Sequence, residues 1–157
     1  MNLELVKNAI EKIDNKVFIN ISAFGLNNED WKKLIFYLNN TYKLIFKEYV
    51  SERKTNQIDF NLLSDFWCGK TENGYAATLY LDTILINCFF NVINYLEFDV
   101  LYHDVIVDEN LRKIIDFVLE MSDVIDKPFY LEEDNYSIEN KLVEIYKNKV
   151  LPYIADL

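Results

Sequence analysis

Residues Leu85 to Asp134 decide how this chain is read. LINCFFN (85–91), YLEFDVLYH (95–103), DENLRKIIDFVLEMSDVI (108–125) and PFYLEED (128–134) follow one another as strand, strand, helix and strand. The helix is the clearest element. Leu111, Ile114, Ile115, Val118, Leu119 and Ile125 recur at helical spacing, and Arg112, Lys113, Asp116, Glu120 and Asp123 fall away from them. Before it, Leu96, Phe98, Val100 and Tyr102 alternate with Glu97, Asp99, Leu101 and His103, the period of a strand. Asp108 is placed to cap the helix, and Asp126-Lys127-Pro128 to stop it. Pro128 at the head of the following strand predicts an edge position.

Working outward, Ile84 to Leu96 carries two patterns. Asn87, Asn91 and Asn94 sit at helical spacing, whereas the β-branched and aromatic content favours strands with a turn near Asn91 to Asn94, the reading preferred here. Upstream, residues 2–14 fit an amphipathic helix and Lys16 to Ser22 a strand. Asn27 or Asn28 opens a second helix that buries Trp31, Leu34, Ile35 and Leu38. Lys43 to Val50 reads as a strand, and so does Ile58 to Trp67. Gly69 to Gly74 reads as a tight hairpin turn with positive φ at Asn73-Gly74, leading into a strand from Tyr75 to Leu81. Downstream, Asn135 to Ser137 opens a closing helix with Ile138, Leu142, Ile145, Tyr146 and Val150 as its apolar face, ended by Pro152. These elements predict a single α+β domain over residues 1–157, with a mainly antiparallel sheet and helices packed on one face. The strand–helix–strand unit from Leu96 to Glu133 allows one parallel pair through a right-handed crossover.

Length and composition agree with one domain: 157 residues, 51% of them hydrophobic, with three glycines and two prolines. The net charge is −10, and Glu97 to Asp134 alone holds twelve acidic and three basic residues. That balance argues against nucleic acid and anionic membranes as partners, because both are polyanions. It suits a basic protein, and equally a surface kept charged for solubility. The opening MNLELVKNAIEK lacks the basic and apolar regions of a signal peptide. The longest uncharged run, Thr83 to Leu96, contains three asparagines and is shorter than the roughly 20 residues of a membrane span. A cytoplasmic protein is expected, with Cys68 and Cys88 as free thiols and Cys88 buried.

The residues that carry chemistry are few. His103, beside Asp104, is the only histidine, and no nucleophile motif accompanies it. One histidine and two distant cysteines make no zinc site of ordinary spacing. Gly25, Gly69 and Gly74 form no phosphate-cradling loop. No catalytic residue, metal site or cofactor is therefore assigned. What remains is the acidic segment, from which Glu97, Asp99, Asp104, Asp108, Glu109, Glu132, Glu133 and Asp134 are the candidate partner-binding residues. If the strands at 96–102 and 129–133 were neighbours, several of these carboxylates would share one edge of the sheet. Like charges held together destabilise a fold, a cost easier to understand if a cationic partner uses them.

The hydrophobic strand pair CFF…YLEFDV, the helix DENLRKIIDFVLEMSDVIDK, the strand PFYLEED and a closing helix together resemble the small bacterial immunity proteins of interbacterial competition systems. The resemblance covers about residues 84–135 and is one of pattern, size and charge, without a motif that would carry binding residues across. It implies a non-enzymatic acidic α+β protein that neutralises a cognate basic toxin, nuclease domains foremost. Two other readings stand beside it. One is an adaptor or homodimeric module pairing through Phe129 to Glu133. The other is an enzyme using a metal held by Asp104, Asp108 and Glu109.

Overall fold

The computed structural model describes residues 2–13, 17–132 and 141–153. In chain order these form α1 (Leu3–Glu11), β1 (Phe18–Phe24), α2 (Asn28–Thr41), β2 (Lys43–Glu48), β3 (Lys54–Thr55), α3 (Phe60–Trp67), β4 (Tyr75–Leu81), β5 (Ile84–Val92) and β6 (Tyr95–Leu101). There follow α4 (Tyr102–Val105), α5 (Asp108–Ile125), β7 (Phe129–Glu132), β8 (Lys141–Tyr146) and β9 (Lys149–Pro152). The strands make one sheet in the order β3-β2-β4-β5-β6-β1-β7-β8-β9, every neighbouring pair antiparallel. The fold is α+β, as expected.

Strand alternation divides the sheet into two faces. Ile19, Ile21 and Ala23 of β1 stand opposite Val100, Phe98 and Leu96 of β6. Continued through Ile86 and Cys88 of β5, Leu131 of β7 and Val143 of β8, they form a buried apolar face. The helices lie against it: Leu111, Ile114, Ile115, Phe117, Val118, Met121 and Ile125 of α5 join the same core as Val6 and Ile10 of α1 and Trp31, Leu34 and Leu38 of α2. Phe117 meets Phe98 edge-on at 5.3 Å, and Phe98 stacks on Phe129 at 6.2 Å. The start of α2 is fixed by a reciprocal capping box, in which Asp30 N–H donates to Asn27 Oδ1 (2.9 Å) and Asn27 N–H donates to Asp30 Oδ2 (3.0 Å). Lys127, just after α5, reaches the same Asp30 carboxylate at 3.6 Å.

Several expectations need correction. Residues 60–67 are the helix α3, not strand: Asp59 Oδ1 accepts from Asn61 N–H and Leu62 N–H, and Leu63 is buried one turn on. The chain around Gly74 therefore joins a helix to a strand and makes no hairpin, and Gly74 does not have a positive φ. Val107, not Asp108, occupies the N-cap position of α5, and Asp108 is its first residue. β7 is not an edge strand, since β1 and β8 flank it. Nor does the unit from β6 to β7 add a parallel pair, because β1 lies between them, antiparallel to both. The stretch expected as a closing helix is, where described, the hairpin β8–β9. Lys147 (φ 49°) and Asn148 (φ 60°) form its two-residue turn, and positive φ at both central positions matches the right-handed twist of the strands they join. The opening of that predicted helix, Asn135 to Ile138, lies outside the described residues.

Candidate functional site

No helix among the described residues covers the second face of the sheet, yet polar side chains are buried in it. One row crosses five strands: Glu132 of β7 opposite Asn20 of β1, Asn20 opposite Asp99 of β6, Asp99 opposite Asn87 of β5, and Asn87 opposite Thr78 of β4. A parallel row sets Tyr130 opposite Ser22, Ser22 opposite Glu97 and Glu97 opposite Phe89. β6 and β7 are thus separated by one strand, and their carboxylates share a face rather than an edge.

Across β4, β5 and β6 the first row is linked by hydrogen bonds. Thr78 Oγ1 donates to Asn87 Oδ1 (3.1 Å), and Asn87 Nδ2 donates to Asp99 Oδ1 (2.8 Å). Such a chain fixes the Asp99 carboxylate in one orientation. Asn20 is buried, Glu97 is 7% exposed and Glu132 2%. Tyr95 reaches across to Glu132, its hydroxyl donating to Oε1 at 3.1 Å. Glu132 Oε2 and Ser22 Oγ are buried and make no well-formed hydrogen bond, though the Ser22 hydroxyl stands close enough to act on the Glu132 carboxylate. Burial raises the Glu132 carboxyl above its ordinary range, opposed by the Ser22 and Tyr95 hydroxyls and the charge of Lys141. The Tyr95 phenol is pushed far up, first by burial and then by the negative charges of Glu132 and Glu97, so both carboxylates act on one ring.

Aromatic side chains frame this polar strip. On one side a hollow of about 330 Å³ is lined by Phe18, Asn20, Tyr49, Phe89, Asn91, Glu97 and Asp99. Tyr49, which follows β2, is 47% exposed, and its phenol is raised by burial and by the charge of Asp99. Its ring lies over Gly74, where a Cβ would come within 2.8 Å of Tyr49 Cδ2, so the absence of a side chain at 74 gives the ring its place. On the other side Lys141 Nζ sits 3.8 Å from the centre of the Tyr130 ring, 4.6 Å from Phe24 and 5.1 Å from Tyr153.

The eight predicted partner-binding residues therefore separate. Glu97, Asp99 and Glu132 come together on the uncovered face. Asp104, Asp108 and Glu109 lie at α4 and the start of α5, where Asp108 Oδ1 is 2.6 Å from Lys7 Nζ and Glu109 Oε1 is 3.6 Å from Lys113 Nζ. Glu133 and Asp134 lie outside the described residues. His103 is exposed, 3.8 Å from Asp104. Other acids of the segment serve the fold: Glu120 Oε2 accepts from both Tyr37 (3.0 Å) and Tyr42 (2.8 Å), and Asp126 Oδ1 from Tyr146 (2.8 Å). Among the described residues no three His, Cys, Asp or Glu side chains are grouped to hold a metal ion, and no helix is long and apolar enough to cross a membrane. Cys88 is buried and Cys68 exposed; burial keeps the Cys88 thiol strongly protonated.

Sequence reasoning missed Asn20, Ser22, Tyr49 and Phe89 as parts of this site. Asn20 and Ser22 alternate with Ile19 and Ile21 in the sequence, but only the pairing of β1 between β6 and β7 sets them among carboxylates. A larger hollow of about 530 Å³ lies between α2 and residues 55–62, and two of its polar side chains hold the local fold. Asn39 is bonded twice to the Ile58 backbone and Asp59 caps α3.

No protein-family model, no curated protein and no solved structure matches this chain.

Proposed function

We propose that this is a non-enzymatic inhibitor of the immunity-protein kind, which binds a basic toxin through the uncovered face of its sheet. The observation that carries the reading is the gathering of Glu97, Asp99 and Glu132, buried or half-buried, on the face of the sheet that no helix among the described residues covers. Carboxylates gathered on one face set a negative potential that steers and orients a cationic partner. Self-association fits less well: two copies would each bring a charge of −10, and the β7 edge invoked for pairing is occupied on both sides. The resemblance of residues 84–135 to immunity proteins supplies the class of partner. It stands without its closing helix, which is the hairpin β8–β9 where described.

Affinity capture from the producing cell, with salt raised in steps, tests this. The natural chain is compared with a Glu97→Lys, Asp99→Lys variant, and the toxic or nucleolytic activity of any retained basic protein is measured with and without each form. A basic protein that is retained and inhibited by the natural chain, and released by the variant, supports the reading. Retention that is equal for both forms and insensitive to salt overturns it.

A further inference from the structure

We infer that an exposed apolar row on the sheet face that carries Asp99, made by Tyr80, Leu85, Leu101 and Phe18, is the anchoring contact for an apolar segment of a basic protein, an inference that rests on the binding reading above. The row follows from the register. Two positions along from Thr78, Asn87, Asp99 and Asn20, and therefore on the same face, stand Tyr80, Leu85, Leu101 and Phe18. Tyr80 pairs with Leu85 and Phe18 with Leu101, while Leu85 and Leu101 lie one position beyond the Ile86–Val100 pair. Large apolar side chains of the neighbouring strands β5, β6 and β1 are thus exposed side by side: Leu85 by 41%, Leu101 by 36% and Phe18 by 37%. Exposed apolar residues scattered singly are ordinary, whereas a contiguous apolar row held on paired strands is what the centre of an interface presents.

The sign of the surrounding charge selects the occupant. Asp99 and Glu97 follow Leu101 on the same face of β6. Both are already engaged within the sheet, Asp99 as the acceptor for Asn87, so they act through their field and not as acceptors waiting for a cation. That field is felt by their neighbours: beyond the effect of burial, Asp99 raises the Tyr49 phenol and Glu97 adds to the rise at Tyr95. A second copy of the chain would bring the same two carboxylates to the contact, and the segments 14–16, 133–140 and 154–157 of this chain carry no net positive charge, so a basic partner fits the row better than either. At the β2 end Lys43 stands opposite Tyr80, its ammonium 5.7 Å from the ring centre, and repels cations there. A basic segment is thus directed over β5, β6 and β1, where the carboxylates speed its arrival and the apolar row slows its departure.

The test uses the full chain and three amidated peptides, Lys-Leu-Lys-Leu-Lys, Lys-Ser-Lys-Ser-Lys and Glu-Leu-Glu-Leu-Glu, titrated at matched ionic strength with amide chemical shifts as the readout. The lysine–leucine peptide is expected to bind about ten-fold more tightly than either counterpart, with shifts centred on Phe18, Leu85 and Leu101. Leu85→Ser with Leu101→Ser, both at exposed positions, weakens it about five-fold while the shifts of the core around Phe98 stay in place. Phe18→Ser, on a different strand, weakens it about three-fold and guards against a local disturbance in the double variant. Equal binding of the serine peptide, equal binding of the glutamate peptide, shifts centred on Phe36 and Leu62, or no binding of any peptide overturns the row as a docking site. Sedimentation showing a dimer that Leu101→Ser dissolves overturns it in favour of a second copy. The two proposals fail separately. A captured toxin whose dissociation ignores the Leu85 and Leu101 changes removes the row and leaves the inhibitor. A row that selects the lysine–leucine peptide in a chain that inhibits no basic protein removes the inhibitor and leaves the row.

Discussion

Phe98 and Asp99 are consecutive residues of β6, and they belong to regions built on different terms. Phe98 points into the core, against Phe117 of α5 and Phe129 of β7. Asp99 points to the uncovered face, in a hydrogen-bonded row with Asn87 and Thr78 and beside the hollow under Tyr49. The same division runs along β1, where Ile19 and Ile21 are core and Asn20 and Ser22 sit among carboxylates. The covered face gains stability by removing apolar surface from water. The other face buries polar groups with no helix among the described residues over it, and Glu132 Oε2 and Ser22 Oγ make no well-formed hydrogen bond there. Burial of that kind weakens a fold, so the stability of the protein comes from the apolar face.

The largest effect should separate those two neighbours directly. Phe98→Ala removes a fully buried ring at the meeting of α5 and β7 and is expected to destabilise the protein by about 3–5 kcal/mol. Asp99→Asn keeps the shape and should change stability by about 1 kcal/mol or less. Urea unfolding of both variants measures this. An Asp99→Asn loss as large as that of Phe98→Ala would break the comparison, because the open face would then be structural too.

Binding should show the reverse order. Glu97→Lys with Asp99→Lys is expected to weaken a basic partner by about 2–5 kcal/mol, the loss seen when one member of a close interfacial charge pair is removed. The same reversal at Asp108 and Glu109, where the carboxylates already face Lys7 and Lys113, should alter only the association rate and its salt dependence. Titration calorimetry with stopped-flow association rates distinguishes the two. Equal losses from both pairs would mean that the partner responds to net charge rather than to the sheet face.

The covered face was largely legible in the sequence because its signals are local. The period of α5, the alternation of β6 and the capping residues of α2 each act within a few positions, and each element forms close to where it is expected, although Tyr102 and His103, expected at the end of the strand, belong to α4. The errors arose where local patterns compete. Ile145, Tyr146 and Val150 satisfy a helical spacing, but Lys147 and Asn148 take positive φ and turn the chain back as a hairpin. Residues 60–67 are rich in β-formers, and Asp59 starts a helix there. The site was legible only as a composition. That Glu97, Asp99 and Glu132 matter together depends on β1, roughly 75 residues earlier in the chain, pairing between β6 and β7, a non-local choice that no window of sequence reports. Tyr49 was harder still, since its place depends on a missing side chain at Gly74.

Glu132 offers the smallest effect and the sharpest use of the comparison. It lies on the face that no described helix covers, yet it is 2% exposed, with one oxygen bonded to Tyr95 and the other short of a well-formed hydrogen bond. Burial raises its carboxyl above the ordinary value of 4.5, so the folded state holds the proton more tightly than the unfolded chain does. Protonation then stabilises the fold: the contribution is fully present below the ordinary value and is lost as pH rises through the raised one. Glu132→Gln keeps the shape and removes both the charge and its titration. The variant is therefore expected to be more stable than the natural protein at neutral pH, by about 1 kcal/mol, with the gap closing on acidification towards pH 4.5. Paired urea melts across that range, compared as a difference so that other carboxylates cancel, give the answer. A natural protein more stable than Glu132→Gln at neutral pH would mean that Lys141 and the surrounding hydroxyls already compensate the charge. The uncovered face would then be held together on its own account, with no vacancy for a partner's cation.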